Sequence, residues 1–172
     1  MKLTYIIFNT PLGWVGILGS KKGLRELIFP QPSQQQAFHL LNKSTLKPHI
    51  TLTEAKANYF SDLPQRIKHY LSGKPVSFPD RLDLTRASPF QKRVWEITQS
   101  IPYGETRAYA WVADKIGMPR AARAVGQALA RNPLPLIIPC HRVICNDGRL
   151  GGFSDGGELW KRRLLKMEAK TA

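Results

Sequence analysis

Acidic side chains are scarce in this sequence: 12 Asp and Glu stand against 26 Lys and Arg, a formal net charge of +14. Such a field repels cationic partners and draws polyanions at long range, so nucleic acid is the first partner to expect. Cysteine is scarcer still, with only Cys140 and Cys145, which argues against a disulfide-stapled fold and leaves reduced thiols. No window approaches the roughly 18 consecutive apolar residues of a membrane span, and the apolar part of the start, MKLTYIIFNTP, is too short for a secretory signal. The expected location is therefore cytoplasmic, with the nucleoid rather than a membrane as partner. Neither G-x-G-x-x-G nor G-x-x-x-x-G-K-[ST] occurs, so no nucleotide cofactor is expected. What is present suffices for a packed core: 42% of residues are hydrophobic and four are tryptophan, against a disordered basic tail.

Three short apolar runs open the chain, Leu3 to Phe8, Trp14 to Leu18 and Leu24 to Phe29, separated by Gly-containing turns. They predict an antiparallel meander. Gln31 to Gln36 is polar. Thr53 is placed to cap a helix carrying Ala55, Tyr59 and Phe60, continued after Pro64 by Ile67, Tyr70 and Leu71 and closed by Gly73. Pro75 and Pro79 with interspersed charges put a domain boundary near residues 74–87, giving an α/β scaffold over 1–85 and a mainly helical domain over 86–172.

Ser88-Pro89-Phe90-Gln91 carries the elements of a helix start: a capping hydroxyl, proline in the first turn, and glutamine to complete a capping box. Phe90, Val94, Ile97 and Ile101 continue as one stripe. A second helix is expected from Thr106 to Gly117 with Tyr109, Val112, Ala113 and Ile116 inward, and a third from Pro119 to about Arg131. Their short Gly117-Met118 joint suggests a helix-turn-helix. On the third helix Arg120, Arg123, Gln127 and Arg131 share a polar face, beside the small residues Ala121, Ala124, Gly126 and Ala128. A small-residue helix with a basic edge can approach a duplex closely.

Asn132-Pro133 ends that helix, and the apolar run Leu134 to Pro139 leads to Cys140-His141-Arg142-Val143. A cysteine in a buried wall beside histidine can be activated as a thiolate. In extended chain, neighbouring side chains point to opposite sides, so either the backbone turns at Cys140 or a water bridges thiol and imidazole. Zinc on Cys140, His141 and Cys145 is disfavoured, because adjacent Cys-His chelates poorly and no fourth ligand stands at a usual spacing. Asn146-Asp147-Gly148 reads as a turn that leaves Cys145 at a strand end as an inert thiol.

Pro139-Cys140-His141-Arg142-Val143, preceded by Arg123-Ala124-Val125-Gly126 and Asn132-Pro133, resembles the O6-alkylguanine-DNA alkyltransferase family. The likeness extends over Ser88-Pro89-Phe90, Ile101-Pro102-Tyr103-Gly104-Glu105-Thr106, the glycine loop from Gly148 to Gly157, and Lys161-Arg162-Arg163-Leu164-Leu165 to Glu168. It implies a ribonuclease-H-like N-terminal domain with an antiparallel sheet and a winged-helix-like C-terminal domain. It also implies DNA repair by direct reversal, in which an alkyl group passes irreversibly from O6 of guanine, and in some members O4 of thymine, to the protein's own cysteine.

By the same resemblance Cys140 is the acceptor, His141 the water-linked base, Glu168 the carboxylate that orients it, Asn132 a holder of nearby backbone, and Tyr109 a donor to the purine N3. Carbonyls of Cys140 and Val143 would read the exocyclic amine, Ser154 would donate toward O6, and Phe153 would shape the alkyl pocket. Arg120, Arg123, Ala124, Gly126, Gln127 and Arg142 would lie against DNA, Arg123 filling the gap left by a flipped nucleotide in a duplex held by its minor groove. The implied protein acts once and without a cofactor, carries no metal, and is a monomer that can assemble along DNA. A rival from the binding class, a recognition protein without chemistry, would lack the cysteine that Cys140 supplies.

Overall fold

The computed structural model describes residues 1–45, 49–56, 58–152 and 157–171. These fall into two compact units, Met1–Asp83 and Leu84–Ala172.

In the first unit the three apolar runs are strands β1 (Lys2–Thr10), β2 (Gly13–Ser20) and β3 (Gly23–Gln31), each antiparallel to the next. The following polar stretch forms α1 (Gln34–Thr45), whose buried Ala37, Leu41 and Thr45 recur at helical spacing. Leu41 joins Leu3, Leu18 and Ile28 in a core cluster, each such side chain contributing about 1.5–3 kcal/mol on burial. Gly16 permits this approach, since a Cβ there would lie 2.6 Å from Leu41 Cδ1.

Residues 51–54 depart from expectation. Instead of capping a helix at Thr53 they form strand β4 (Thr51–Glu54), which adds parallel to β1 in the order β3-β2-β1-β4. The helix that follows is α2 (Leu63–Leu71), beginning eight residues later than Ala55 and burying Leu63, Ile67, Tyr70 and Leu71. Backbone pairing of Thr51 to Glu54 with Lys2 to Tyr5 outweighs the weak local capping preference.

The second unit opens with α3 (Pro89–Gln99), where both halves of the capping box form: Gln91 N donates to Ser88 Oγ at 3.2 Å and Ser88 N to Gln91 Oε1 at 2.9 Å. Its stripe is modified by Trp95, which is buried and donates from Nε1 to the Ala128 carbonyl at 3.0 Å. Thr106 does not start the next helix. Arg107–Ala108 is a short strand, β5, and α4 (Tyr109–Lys115) follows it directly. Gly117 makes the turn to α5 (Ala122–Ala130), which begins after Pro119 rather than at it.

Beyond α5 the chain is buried without interruption from Leu134 to Val143. It makes a 3₁₀ turn at Cys140–Arg142 and then strand β6 (Val143–Ile144). Strands β5 and β6 pair in parallel, Arg107 with Val143 and Ala108 with Ile144. That pairing places Tyr109, the first residue of α4, beside the segment that leaves Cys140. The last helix is α6 (Gly157–Ala169), with Lys161, Leu164 and Glu168 on its buried face.

Candidate active site

Cys140 is 3% exposed and sits where the backbone turns, so the extended geometry that would separate it from His141 does not hold. The preceding loop is organised by one side chain. Asn132 accepts from Leu134 N at 2.9 Å and donates from Nδ2 to the Ile138 carbonyl at 2.8 Å and to Cys140 Sγ at 3.1 Å. The loop it spans holds Leu136 at a φ of 74°, a left-handed conformation that costs a non-glycine residue roughly 1–2 kcal/mol. A donor aimed at sulfur suits an anionic nucleophile.

His141 is fully buried, and its Nε2 lies 2.8 Å from Glu168 Oε1. Burial pushes the imidazole below its ordinary value, opposed by the hydrogen bond and charge of Glu168. The resting ring is therefore neutral near pH 7 and able to take a proton. With Nε2 committed to the carboxylate, the accepting nitrogen is Nδ1, itself buried.

Glu168 ties three segments together. Besides His141 it accepts from Gly104 N at 3.1 Å and from Arg142 through Nε at 3.0 Å and Nη2 at 2.9 Å. Arg142 Nη1 continues to the Ile101 carbonyl at 2.7 Å. This corrects the expectation for Arg142 as a DNA contact: the residue is 7% exposed and its guanidinium is spent inside the domain on a carboxylate whose planar oxygens match its fork.

Tyr109 is half-buried, and burial pushes its phenol up to about 12. It keeps its proton and donates it to the Gly152 carbonyl at 3.2 Å. Gly151, at a φ of 70°, passes so close that a Cβ there would lie 2.7 Å from the Tyr109 hydroxyl oxygen. A cleft of about 520 Å³ opens beside them, lined in part by Tyr109, Arg123, Gly126, Gln127, Gly151 and Gly152. Cys140 is absent from the described residues that line it, and at 3% exposure its sulfur is covered.

The basic face of α5 is open: Arg123, Ala124 and Gln127 are exposed, as is Arg120 just before the helix, and Gly126 is half-buried. Val143 is buried next to the 3₁₀ turn. The expectations for Phe153 and Ser154 lie outside the described residues. Among those residues no three His, Cys, Asp or Glu side chains converge as metal ligands, and no helix is long and apolar enough to cross a membrane.

Sequence reasoning missed Lys161. It is wholly buried and donates to Tyr109 Oη at 3.1 Å and to the Gly152 carbonyl at 3.2 Å. The available signal was spacing, since Lys161, Leu164 and Glu168 stand at i, i+3 and i+7 on one helical face.

Comparison with known proteins adds an independent line. The ribonuclease-like domain of 6-O-methylguanine DNA methyltransferase matches residues 3–84, and the DNA-binding domain of the same family matches residues 89–170. A methylated-DNA--protein-cysteine methyltransferase from Methanosarcina barkeri is 41% identical over 164 residues, 95% of this chain and 96% of its own length. One from Mycobacterium bovis is 44% identical over 130 residues, covering 76% of this chain and 78% of that protein. The crystal structure of Mycobacterium tuberculosis OGT in complex with DNA is similar over 100% of this chain and 95% of its own, at 36% identity and a TM-score of 0.77.

Proposed function

The chain belongs to the 6-O-methylguanine DNA methyltransferase family, and from that premise we propose how its own residues carry an alkyl group from guanine O6 to Cys140. The observation that carries the assignment is the Cys140 thiol, set on Asn132 Nδ2 at 3.1 Å and next in the chain to an imidazole held on Glu168 at 2.8 Å.

His141 takes the thiol proton, directly or through one water, and Glu168 stabilises the imidazolium through Nε2. The sulfur attacks the alkyl carbon, a carbon–sulfur bond forms, and the carbon–oxygen bond breaks with its electron pair staying on the purine. Tyr109 turns its hydroxyl from Gly152 to the purine N3 and stabilises the developing negative charge there. The proton lost by the thiol balances the one that guanine regains. A thioether offers no leaving group for water, so each molecule acts once.

A sulfur this deeply buried is out of reach of a stacked base, so the lesion must be flipped, at a cost of a few kcal/mol. The exposed α5 face supports docking in the minor groove, whose width of about 6 Å suits Ala124 and Gly126, with Arg123 filling the vacated stack. Arg120 and Gln127 flank it. One protomer suffices, because every residue assigned here comes from the second unit of a single chain.

The test compares two substrates. Arg123→Ala should slow transfer from a duplex containing O6-methylguanine by about 10-fold or more while leaving transfer from a free O6-alkylguanine base, which needs no flipping, within about twofold. Equal losses on both substrates would remove Arg123 from base extrusion.

A further inference from the structure

A lysine with no exposed surface, whose described hydrogen bonds both end on neutral oxygens, sits awkwardly in a protein interior. Lys161 is that residue, and none of the chemistry above uses it. Its Nζ, the Tyr109 hydroxyl and the Gly152 carbonyl form a closed triangle with sides of 3.1, 3.2 and 3.2 Å. The ammonium also lies 5.3 Å from the centroid of the Tyr109 ring.

We propose that Lys161 is a positioning residue for Tyr109, occupying a lone pair of the phenol oxygen so that its single proton is aimed away from the ammonium, toward Gly152 at rest and toward the guanine ring when the base is bound. An ammonium only donates, whereas a phenol donates once and accepts. With Lys161 as donor, the phenol cannot turn its proton inward. The Gly152 carbonyl then serves as a stand-in acceptor that the purine N3 replaces, and Lys161 keeps the glycine loop tied while that exchange occurs. The hydrogen bond from a cation also polarises the phenol, making it a stronger donor toward the leaving purine.

This inference rests on the reading of Tyr109 as the purine donor. Burial holds the Lys161 ammonium down at about 8, opposed by Cys140 and Cys145, so its charge is lost within an accessible range. Among the described residues, the titratable groups facing it are Tyr109 from α4, Cys140 and His141 from the 3₁₀ turn, and Cys145 just past β6. Tyr109, pushed up to about 12, does not ionise in that range.

The experiment measures single-turnover methyl transfer from an O6-methylguanine duplex to the full chain, by intact mass, between about pH 6.5 and 9.5. Wild type and Tyr109→Phe share every ionisation of Cys140 and His141, so the ratio of their rates isolates what acts through the phenol. That ratio should fall as pH rises through about 8. Lys161→Met should slow wild type by about 10-fold or more, Lys161→Arg should recover part of the loss, and Lys161→Met should add less than about twofold to Tyr109→Phe. A pH-independent ratio, or Lys161→Met costing the same factor with and without the phenol, would overturn the proposal. The pH ratio needs no lysine variant and so survives a misfolded one. Absence of any methyl group on wild-type Cys140 would instead refute the reading beneath it.

Discussion

Glu168→Gln removes one negative charge and almost no volume from the most heavily bonded carboxylate of the site. In the native protein its two oxygens accept from His141 Nε2, Gly104 N and the Arg142 guanidinium, at distances between 2.8 and 3.2 Å. An amide keeps one accepting oxygen and turns the other position into a donor, which meets donors from Gly104 or Arg142. Arg142, 7% exposed, is left without its counter-charge. Breaking a buried ion pair from one side costs about 3–5 kcal/mol, which for a chain of this size lowers the melting temperature by roughly 6–20 °C. The assay is thermal unfolding by circular dichroism at pH 7.5, with transfer rates taken well below the variant's transition. The rate should fall as well, because the imidazolium loses its stabilising anion. A melting point within about 2 °C of wild type would refute the claim that Glu168 anchors this part of the domain.

Stability should also depend on His141. Its folded value lies below the ordinary 6.5, so as pH falls below about 6.5 the unfolded chain binds a proton that the folded chain resists, and stability is lost toward acid. Chemical denaturation at pH 5, 6 and 7.5 should show a steeper acid loss for wild type than for His141→Asn, and parallel curves would remove His141 as the cause. Gly151→Ala should place a methyl group 2.7 Å from the Tyr109 hydroxyl at a φ of 70°, displacing the phenol and slowing transfer by about 10- to 100-fold. Lesion-free duplex binding, measured by fluorescence anisotropy, should stay within about twofold, and an unchanged transfer rate would show that the phenol's place does not matter.

Much of the fold was written in local patterns. Three apolar runs with glycine turns gave β1 to β3, and Ser88-Pro89-Phe90-Gln91 gave the start of α3, because the hydrogen bonds involved close within a few residues. Strand β4 could not be read in this way: four residues pair in parallel with a strand some fifty positions earlier, and Thr53 on its own resembles a cap. Helix α1 hid for a different reason: its three opening glutamines read as a polar loop, although Ser33 just before them accepts from Gln36 N at 3.2 Å as a helix cap.

The same contrast runs through the site. Cys140, His141 and Asn132 lie within nine positions of one another, so a short motif points to them together. Glu168 arrives from α6 and was visible only through resemblance. Arg142 and Lys161 were obscured by their charge, because a lysine or arginine in so basic a chain reads as surface, while their burial depends on Glu168, Tyr109 and Gly152 converging from separate elements. Exposure of Arg123 and Gln127 followed from their common helical face, whereas Arg120 is exposed just ahead of the helix rather than on it.

The most direct test of the central claim is intact mass after mixing equimolar protein with a duplex carrying one O6-methylguanine, followed by peptide mapping. Transfer to the acceptor thiol predicts a gain of about 14 Da, a methyl group replacing hydrogen, that saturates at one per molecule and maps to Cys140. Restored guanine in the duplex with no mass gain, or a gain that persists in Cys140→Ala, would contradict it.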